Sequence, residues 1–349
     1  MKALFVGLGS VGQRHLRNLQ EQLGDDLEAI AWRAARTAPL LDGRGGVDAG
    51  VELSAHYPIR EFDTLEAALS ERPDVAFICN PNSLHVGPAR AVVAAGCDVF
   101  IEKPLSHSAD GVSELIAEAA ERKRIVAVGF QYRFHPGLVL AKQWFEEGRI
   151  GQLVSASLVN GEYMPGWHPY ENYRTSYGAR SDLGGGALVS QIHEFDTAFW
   201  FFGEPERVFA VGGQLSRLDL DVEDSATVLL KMVVDGRSVP VDIHLDYLQS
   251  PPVRSFTIVG DEGRIVWHER MKSVTLERIN EGLVDSRSFE DFDRNEMFMD
   301  ELRDFISSVH ERRPPKVDIR AGAVSLRVAL AARTSMATGN ACVLAERNE

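Results

Sequence analysis

The strongest constraint on this chain lies within its first twelve residues. An apolar run, Ala3-Leu4-Phe5-Val6, passes directly into Gly7-Leu8-Gly9-Ser10-Val11-Gly12 and then into an amphipathic stretch that reads as a helix to Leu23. Three glycines at this spacing, between a strand and a helix, meet three demands. They allow a tight turn, a backbone that approaches a pyrophosphate, and close packing of helix on strand. The helix start adds unpaired N–H groups and a partial positive charge. Gly7, Gly9, Ser10, Val11 and Gly12 are therefore expected to cradle a dinucleotide; a glycine-rich turn without a ligand is the weaker reading at this position.

The same rhythm continues through the first third of the chain. Apolar runs at 27–32, 75–79, 99–101 and 125–128 alternate with helical patterns at 64–69, 85–95 and 109–122. Strands that read as unbroken apolar runs, each followed by a helix, predict a parallel sheet covered on both faces. The expectation is an α/β chain opening with a doubly wound Rossmann domain over 1–130. From residue 131 the texture changes to a helix at 136–148, strands at 153–159, 207–212, 225–234, 238–247, 254–260, 263–268 and 273–279, and helices at 187–202, 296–310 and 321–338. Hairpin signals such as Val234-Asp235-Gly236-Arg237 separate several strands. An α+β domain with a largely antiparallel, open-faced sheet is expected over 131–349. At 349 residues the chain has room for these two domains.

Charge and cysteine content narrow the function class. The chain has 37 Lys+Arg against 51 Asp+Glu, a net charge of −14. A nucleic-acid binder or a protein held on an anionic membrane needs the opposite bias. Cys79, Cys97 and Cys342 lie far apart and match neither a disulfide framework nor a zinc site, so no metal is expected. The N-terminal apolar run turns polar at Gln13-Arg14-His15, too early for a leader peptide, and no apolar run reaches 18 residues. A cytoplasmic setting follows as the expectation.

The second strand bears on the cofactor. An acid about 20 residues after the glycines commonly binds the ribose of NAD. None occurs between residues 29 and 41, where Trp32, Arg33 and Arg36 stand instead. A guanidinium grips phosphate and stacks on adenine. This predicts NADP as the preferred cofactor, with NAD as the alternative.

Four motifs in order now carry a resemblance to the Gfo/Idh/MocA oxidoreductases. They are the glycine loop, Asn80-Pro81-Asn82-Ser83-Leu84-His85, Glu102-Lys103-Pro104, and Gly184-Gly185-Gly186-Ala187-Leu188 followed by His193 and Asp196. The resemblance implies hydride transfer between a nicotinamide cofactor and a carbinol or carbonyl carbon of a sugar, sugar acid, cyclitol or nucleotide-linked sugar. It implies that Asn80, Pro81, Asn82, His85, Glu102 and Lys103 border the cofactor, and that Lys103 and His193 are catalytic. It also implies that open sheet faces join copies into a homodimer or homotetramer.

The residues support this on their own terms. Glu102-Lys103-Pro104 ends a strand, at the edge of a parallel sheet where ligands sit. Lys103 is one of only seven lysines against thirty arginines. An ammonium there polarises a carbonyl, and partial burial brings its pKa toward working pH. Helical spacing puts Ser190, Asp196 and Thr197 on the face of His193, which can take or give a hydroxyl proton while Asp196 orients it. One departure stands out. Many relatives carry an Asp one turn before this His, whereas this chain has Val189 and Ser190, and a serine is no base at neutral pH.

For the substrate, Tyr132, Arg133, Tyr163, Trp167, His168, Tyr173, Arg174, Ser190 and His193 are the candidates, with Tyr170, Tyr177 and Arg180 nearby in the same polar loop. Aromatic faces pack on the C–H faces of sugars, and arginines hold carboxylate or phosphate. Two alternatives to a dehydrogenase remain open at this point: a dinucleotide-binding regulator without turnover, and an enzyme using its cofactor transiently for elimination or hydrolysis.

Overall fold

The computed structural model describes residues 1–33, 39–41, 46–48 and 53–344. Strand β1 (Lys2–Val6) is central to the first sheet, and Ala3, Leu4, Phe5 and Val6 are all buried. It pairs in parallel with β2 (Glu28–Trp32) on one side and β4 (Val75–Ile78) on the other. Beyond β2 lies β3 (Ile59–Phe62); beyond β4 lie β5 (Asp98–Glu102) and β6 (Val126–Gly129). The order β3-β2-β1-β4-β5-β6, parallel throughout, is that of a dinucleotide-binding Rossmann sheet. Helices α1 (Ser10–Leu23), α2 (Leu65–Ser70), α3 (Val86–Ala94) and α4 (Val112–Glu121) connect its strands. Thr64 starts α2 by accepting from the Ala67 N–H, which satisfies one of the unpaired donors of that helix.

The second sheet has nine strands. After α5 (Pro136–Glu146) come β7 (Leu153–Gly161), the short α6 (Ala187–Ser190), α7 (His193–Phe202), β8 (Pro205–Gly213), β9 (Ser225–Val234) and β10 (Arg237–Asp246). The rest are β11 (Val253–Gly260), β12 (Gly263–His268), β13 (Ser273–Arg278), β14 (Gly282–Ser288) and the two-residue β15 (Cys342–Val343). Their order is β14-β13-β12-β11-β7-β10-β9-β8-β15, antiparallel except where β7 runs parallel to β10. Alternation sorts the two faces. Val208, Ala210, Val228, Leu230, Val241 and Ile243 are buried, while Phe209, Val211, Leu229 and Val233 stay exposed on the open side.

Two late helices join the halves. Helix α8 (Asn295–Glu311) returns to the first sheet, where Leu302, Phe305 and Ile306 pack with Phe5, Phe77 and Phe100. The Phe305 ring meets Phe77 at 5.8 Å and Phe100 at 5.6 Å, both edge to face. Just before α9 (Ile319–Thr338), the Val317 carbonyl accepts from Val128 N–H on β6, and Gly322 passes so close to Val128 that a Cβ there would lie 2.6 Å away. Among the described residues no helix is long and apolar enough to cross a membrane, and no His/Cys/Asp/Glu group is placed to hold a metal.

Two differences from the sequence expectation matter below. Strand β3 was not foreseen, because Arg60 and Glu61 interrupt its apolar pattern at an edge position. The single helix expected over 187–202 is broken at Gln191 and Ile192.

Candidate active site

The three glycines of the first turn have distinct surroundings. Gly7 has φ +91°, and a Cβ there would lie 3.0 Å from the Asn80 nitrogen and the Cys79 oxygen. A Cβ on Gly12 would lie 2.5 Å from the Gly7 oxygen. Gly9 faces open space, with nothing within 4 Å of such a position. Two glycines are thus required by packing, whereas Gly9 borders open space. The Trp32 carbonyl closes the turn by accepting from Gly7 N–H, and α1 begins with no side-chain cap, so its first N–H groups remain open to an anion. Ser10 and Val11 form that first turn. These features fit a dinucleotide pyrophosphate.

At the far end of the crevice the surroundings of Arg33 differ from the expectation. The unforeseen strand β3 delivers Glu61, whose carboxylate lies 2.8 Å from Arg33 Nη1 in a pair that is largely buried. The second amino group of Arg33 is buried without a partner. An acid thus stands beside the end of β2, contributed by the neighbouring strand. Arg36 lies outside the described residues.

Strands β4 and β5 end side by side in the crevice. Asn80 and Pro81 follow β4; the Asn80 amide donates to the Leu84 carbonyl and its own side-chain oxygen is buried and unpartnered. His85, expected beside the cofactor, is 1% exposed and lies within 2.8 Å of the Pro104 and Asn80 carbonyls through its two ring nitrogens. It is packed between the two strand ends, and as a neutral ring it donates to one of these carbonyls. Asn82 reaches across to the other half of the chain, donating to the Gly184 carbonyl at 2.9 Å.

Glu102 closes β5, and the Lys103–Pro104 peptide that follows is cis. Lys103 is partly buried, and its ammonium donates to the Ser190 carbonyl at 2.9 Å. The helix break explains that contact: Gln191 ends α6, so the Ser190 carbonyl has no helical N–H to accept from. Ser190 therefore meets the lysine through its backbone, and it does not share a helical face with His193. Burial lowers the Lys103 pKa, with Glu102 and Glu194 opposing and Arg254 and Arg294 reinforcing. His193 opens α7, is 6% exposed, and is packed edge-on against Phe130 and Tyr132. Burial first, then Lys103, Arg254 and Arg294, hold its pKa well below the ordinary range, so the imidazole is neutral at pH 7.

The acid expected to orient His193 is engaged elsewhere. Asp196 receives a bidentate grip from Arg133 at 2.9 and 2.7 Å, and both groups are buried. Arg133 is thus a partner of Asp196, not a free anion contact. A second buried pair, Arg254 with Glu194 at 2.7 Å, lies behind Tyr132, with the Arg254 guanidinium 4.0 Å above the tyrosine ring. The Tyr132 hydroxyl donates to Glu269 at 2.7 Å, and burial pushes its pKa up to about 12.

The polar loop extends from the second sheet toward the first. Trp167 packs edge-on against Tyr247, His168 pairs with Glu171 at 2.7 Å, and Tyr170 stacks on His168 and lies against the Ser10 side chain at the glycine turn. Tyr163 is 44% exposed. The Tyr173 hydroxyl accepts from Asp219 N–H, and Arg174 pairs with Asp219 at the surface. Arg180 is bound to Asp182. Of the loop residues, Tyr170 is the one placed against the cofactor turn, while Arg174 is occupied away from it.

Sequence reasoning missed Glu61, Arg254 and His15. Arg254 carried a readable signal, because strand alternation puts it on the same face as the buried Phe256 and Ile258. A charge at such a position needs a buried partner. His15, with no exposure, bonds to Glu102 at 2.6 Å; a histidine on the inner face of α1 gave no such hint.

A Rossmann sheet with an open glycine turn, facing a lysine and a neutral histidine at the junction with a mixed sheet, defines a two-domain α/β protein of the dinucleotide-binding class. The chain belongs to the Gfo/Idh/MocA family: residues 1–130 match its NAD-binding Rossmann fold and residues 138–266 its C-terminal domain. It is 27% identical to myo-inositol 2-dehydrogenase of Thermotoga maritima, over 96% of each chain. It is 26% identical to inositol 2-dehydrogenase of Rhizobium meliloti, over 65% of this chain but only 64% of that one. Its fold matches levoglucosan dehydrogenase solved with NADH, at a TM-score of 0.85 and 18% identity, covering 99% of this chain and 100% of that one.

Arg133→Met tests the Arg133–Asp196 pair. It strands a buried carboxylate, and the expected loss of stability is about 3–5 kcal/mol in urea unfolding. Unchanged stability together with weakened sugar binding would return Arg133 to the substrate.

Proposed function

We propose that this chain is a nicotinamide-dependent dehydrogenase or reductase acting on a secondary alcohol or ketone of a neutral sugar or cyclitol. One observation carries the reading: a partly buried lysine at the carboxyl edge of the parallel sheet, bonded to a backbone carbonyl, beside a buried neutral histidine. The division of labour runs with the fold, cofactor on residues 1–130 and substrate on 131–349. The cofactor, when bound, supplies the hydride acceptor or donor. Gly7, Gly9, Ser10, Val11 and Gly12 hold its pyrophosphate, and Asn80, Pro81, Asn82 and Glu102 border it.

The protein's own part is proton transfer and orientation. Lys103, its pKa lowered by burial, holds or releases the proton of the reacting hydroxyl and stabilises charge on that oxygen. His193, neutral, offers its imidazole to the same oxygen as a hydrogen-bond partner. Ser190 gives its carbonyl to Lys103 and thereby aims it. Trp167 and Tyr163 supply faces for the ring of the substrate, with the buried Tyr132 packed behind His193. A neutral substrate is favoured because Arg133, Arg174, Arg180 and Arg254 each already face a carboxylate. A panel of neutral sugars and cyclitols assayed with NAD and NADP tests this reading; turnover confined to anionic sugars would overturn the substrate class. Lys103→Met is expected to lower turnover at least about a hundredfold while leaving cofactor affinity within a few-fold. Full activity in that variant would remove Lys103 from the chemistry.

The NADP preference suggested by Arg33 and Arg36 depends on drawing Arg33 away from Glu61. With that pair intact Arg33 has little surplus charge for a 2′-phosphate, and among the described residues the geometry supports NAD at least as well. Titration with NADH and NADPH, followed by tryptophan-to-nicotinamide energy transfer, is expected to show NADH binding equal or tighter, with Glu61→Gln moving the balance toward NADPH. A strong NADPH preference in the unaltered chain would restore the role first read for Arg33.

The exposed apolar row Phe209, Val211, Leu229 and Val233 is the surface through which copies would form a homodimer or homotetramer. Val211→Glu with Leu229→Glu is expected to yield monomers in light scattering, whereas an unchanged mass would place the contact elsewhere. A reducing, cytoplasmic setting suits three cysteines that are all free thiols.

A further inference from the structure

His15 is fully buried on the inner face of α1, among Phe77, Phe100 and Phe298, with ring centroids 5.0–6.2 Å away. A leucine or phenylalanine would fill that space without a polar atom to satisfy. The imidazole has one partner: its Nε2 lies 2.6 Å from Glu102 Oε1, while Nδ1 is buried with none. That arrangement assigns the ring proton to Nε2, donating to the carboxylate. The other Glu102 oxygen accepts the backbone N–H of Lys103 at 3.2 Å. A Cβ on Gly129, from the next strand, would sit 3.3 Å from the carboxylate, so glycine there leaves the group its space.

We propose that His15 is a positioning residue for Lys103: from the cofactor-binding helix it holds the Glu102 carboxylate in place, fixing the counter-charge and the strand end that carry the lysine. The inference rests on the reading of Lys103 as the proton carrier. The glycine turn and Glu102-Lys103-Pro104 thereby become one mechanical unit, linked through the buried His15–Glu102 bond.

The electrostatic consequence has a sign. Glu102 is the largest influence favouring the charged form of Lys103; Glu194 acts the same way, and burial, Arg254 and Arg294 act against it. His193 faces the lysine as well. Glu102 itself is surrounded by Arg14 and His15 from α1, Cys79 after β4, His85 before α3, Tyr177 from the polar loop and Glu301 from α8. Of these only His15 and the Lys103 backbone hydrogen-bond to it. Loss of the His15 donor leaves a buried carboxylate oxygen unpaired and frees the group to turn away, which weakens its hold on the Lys103 charge. The lysine then gives up its proton at lower pH.

The test is a pulse of acetic anhydride across a pH series on the full chain without cofactor, with Lys103 acetylation read by mass spectrometry and Lys231 and Lys272 as internal references. His15→Phe is expected to lower the Lys103 midpoint by about one pH unit. His15→Gln, which keeps an N–H donor, should stay near the unaltered chain. Glu102→Gln should match His15→Phe, and the double variant should add nothing. In a turnover assay the pH limb of kcat should move by the same amount with KM for the sugar little changed. An unmoved midpoint in a folded His15→Phe or in Glu102→Gln, or additive shifts in the double variant, would overturn the proposal. If His15→Phe does not fold, the Glu102→Gln and His15→Gln arms still decide it. The acetylation series needs no substrate, so a failed sugar panel with a shifted midpoint would count against the dehydrogenase reading and not against the link.

Discussion

The rest of the structure depends on covering the first sheet. A parallel sheet flanked by crossover helices is stable only when both faces are out of water. Here the segment that supplies its strands does not finish the task. The face formed by Phe5, Phe77 and Phe100 is sealed by Leu302, Phe305 and Ile306 from α8, and β6 is bordered by the start of α9. Hydrogen bonds from Arg14 and Asn18 on α1 to Asn295 at the start of α8 reinforce the seal. Because α9 also packs beside the second sheet and α7, the same burial that completes the first half fixes the position of the second. The crevice between β5 and α7 is a by-product of that closure, which is why Lys103 and the Ser190 carbonyl meet at 2.9 Å although their segments are far apart in sequence.

Within the crevice, charge is arranged so that most of it cancels locally. Arg33 with Glu61, Arg133 with Asp196 and Arg254 with Glu194 are buried pairs that contribute geometry more than field. Lys103 stands outside these pairs, since its ammonium bonds to a neutral carbonyl. A cation in that situation acts on whatever oxygen comes near it, and partial burial makes its proton easier to release. His193, surrounded by aromatic rings and positive groups, is pushed to its neutral form and so complements the lysine without competing for its proton.

Most of this architecture was legible in the sequence, and the exceptions share a physical cause. Strands buried on both faces announce themselves as apolar runs, and the glycine spacing in the first turn was sufficient to place the junction of β1 and α1. Edges were invisible: β3, β14 and β15 lie at sheet margins, where one side of the backbone is unpaired and charged or exposed residues are tolerated. Missing β3 meant missing Glu61, and with it the partner of Arg33. The break at Gln191 and Ile192 carries no glycine or proline, so helical periodicity ran straight through it and put Ser190 on the wrong face. The reassignment of Arg133 came from the same limit. Asp196 lies 63 positions away, and no local spacing rule connects residues that only tertiary packing brings together.

The late arrival of α8 has a consequence for how the chain reaches this state. Phe305 follows Phe5 by three hundred positions, yet the two belong to one aromatic cluster. During synthesis the strands of the first sheet emerge long before the helix that covers them, and eight of the nine strands of the second sheet are made in between. An apolar sheet face is exposed for that interval, with loop closure over most of the chain required before it is shielded. Burial of the nucleotide half is therefore completed only after residue 295 has been made, and until then part of its apolar face has no cover from α8.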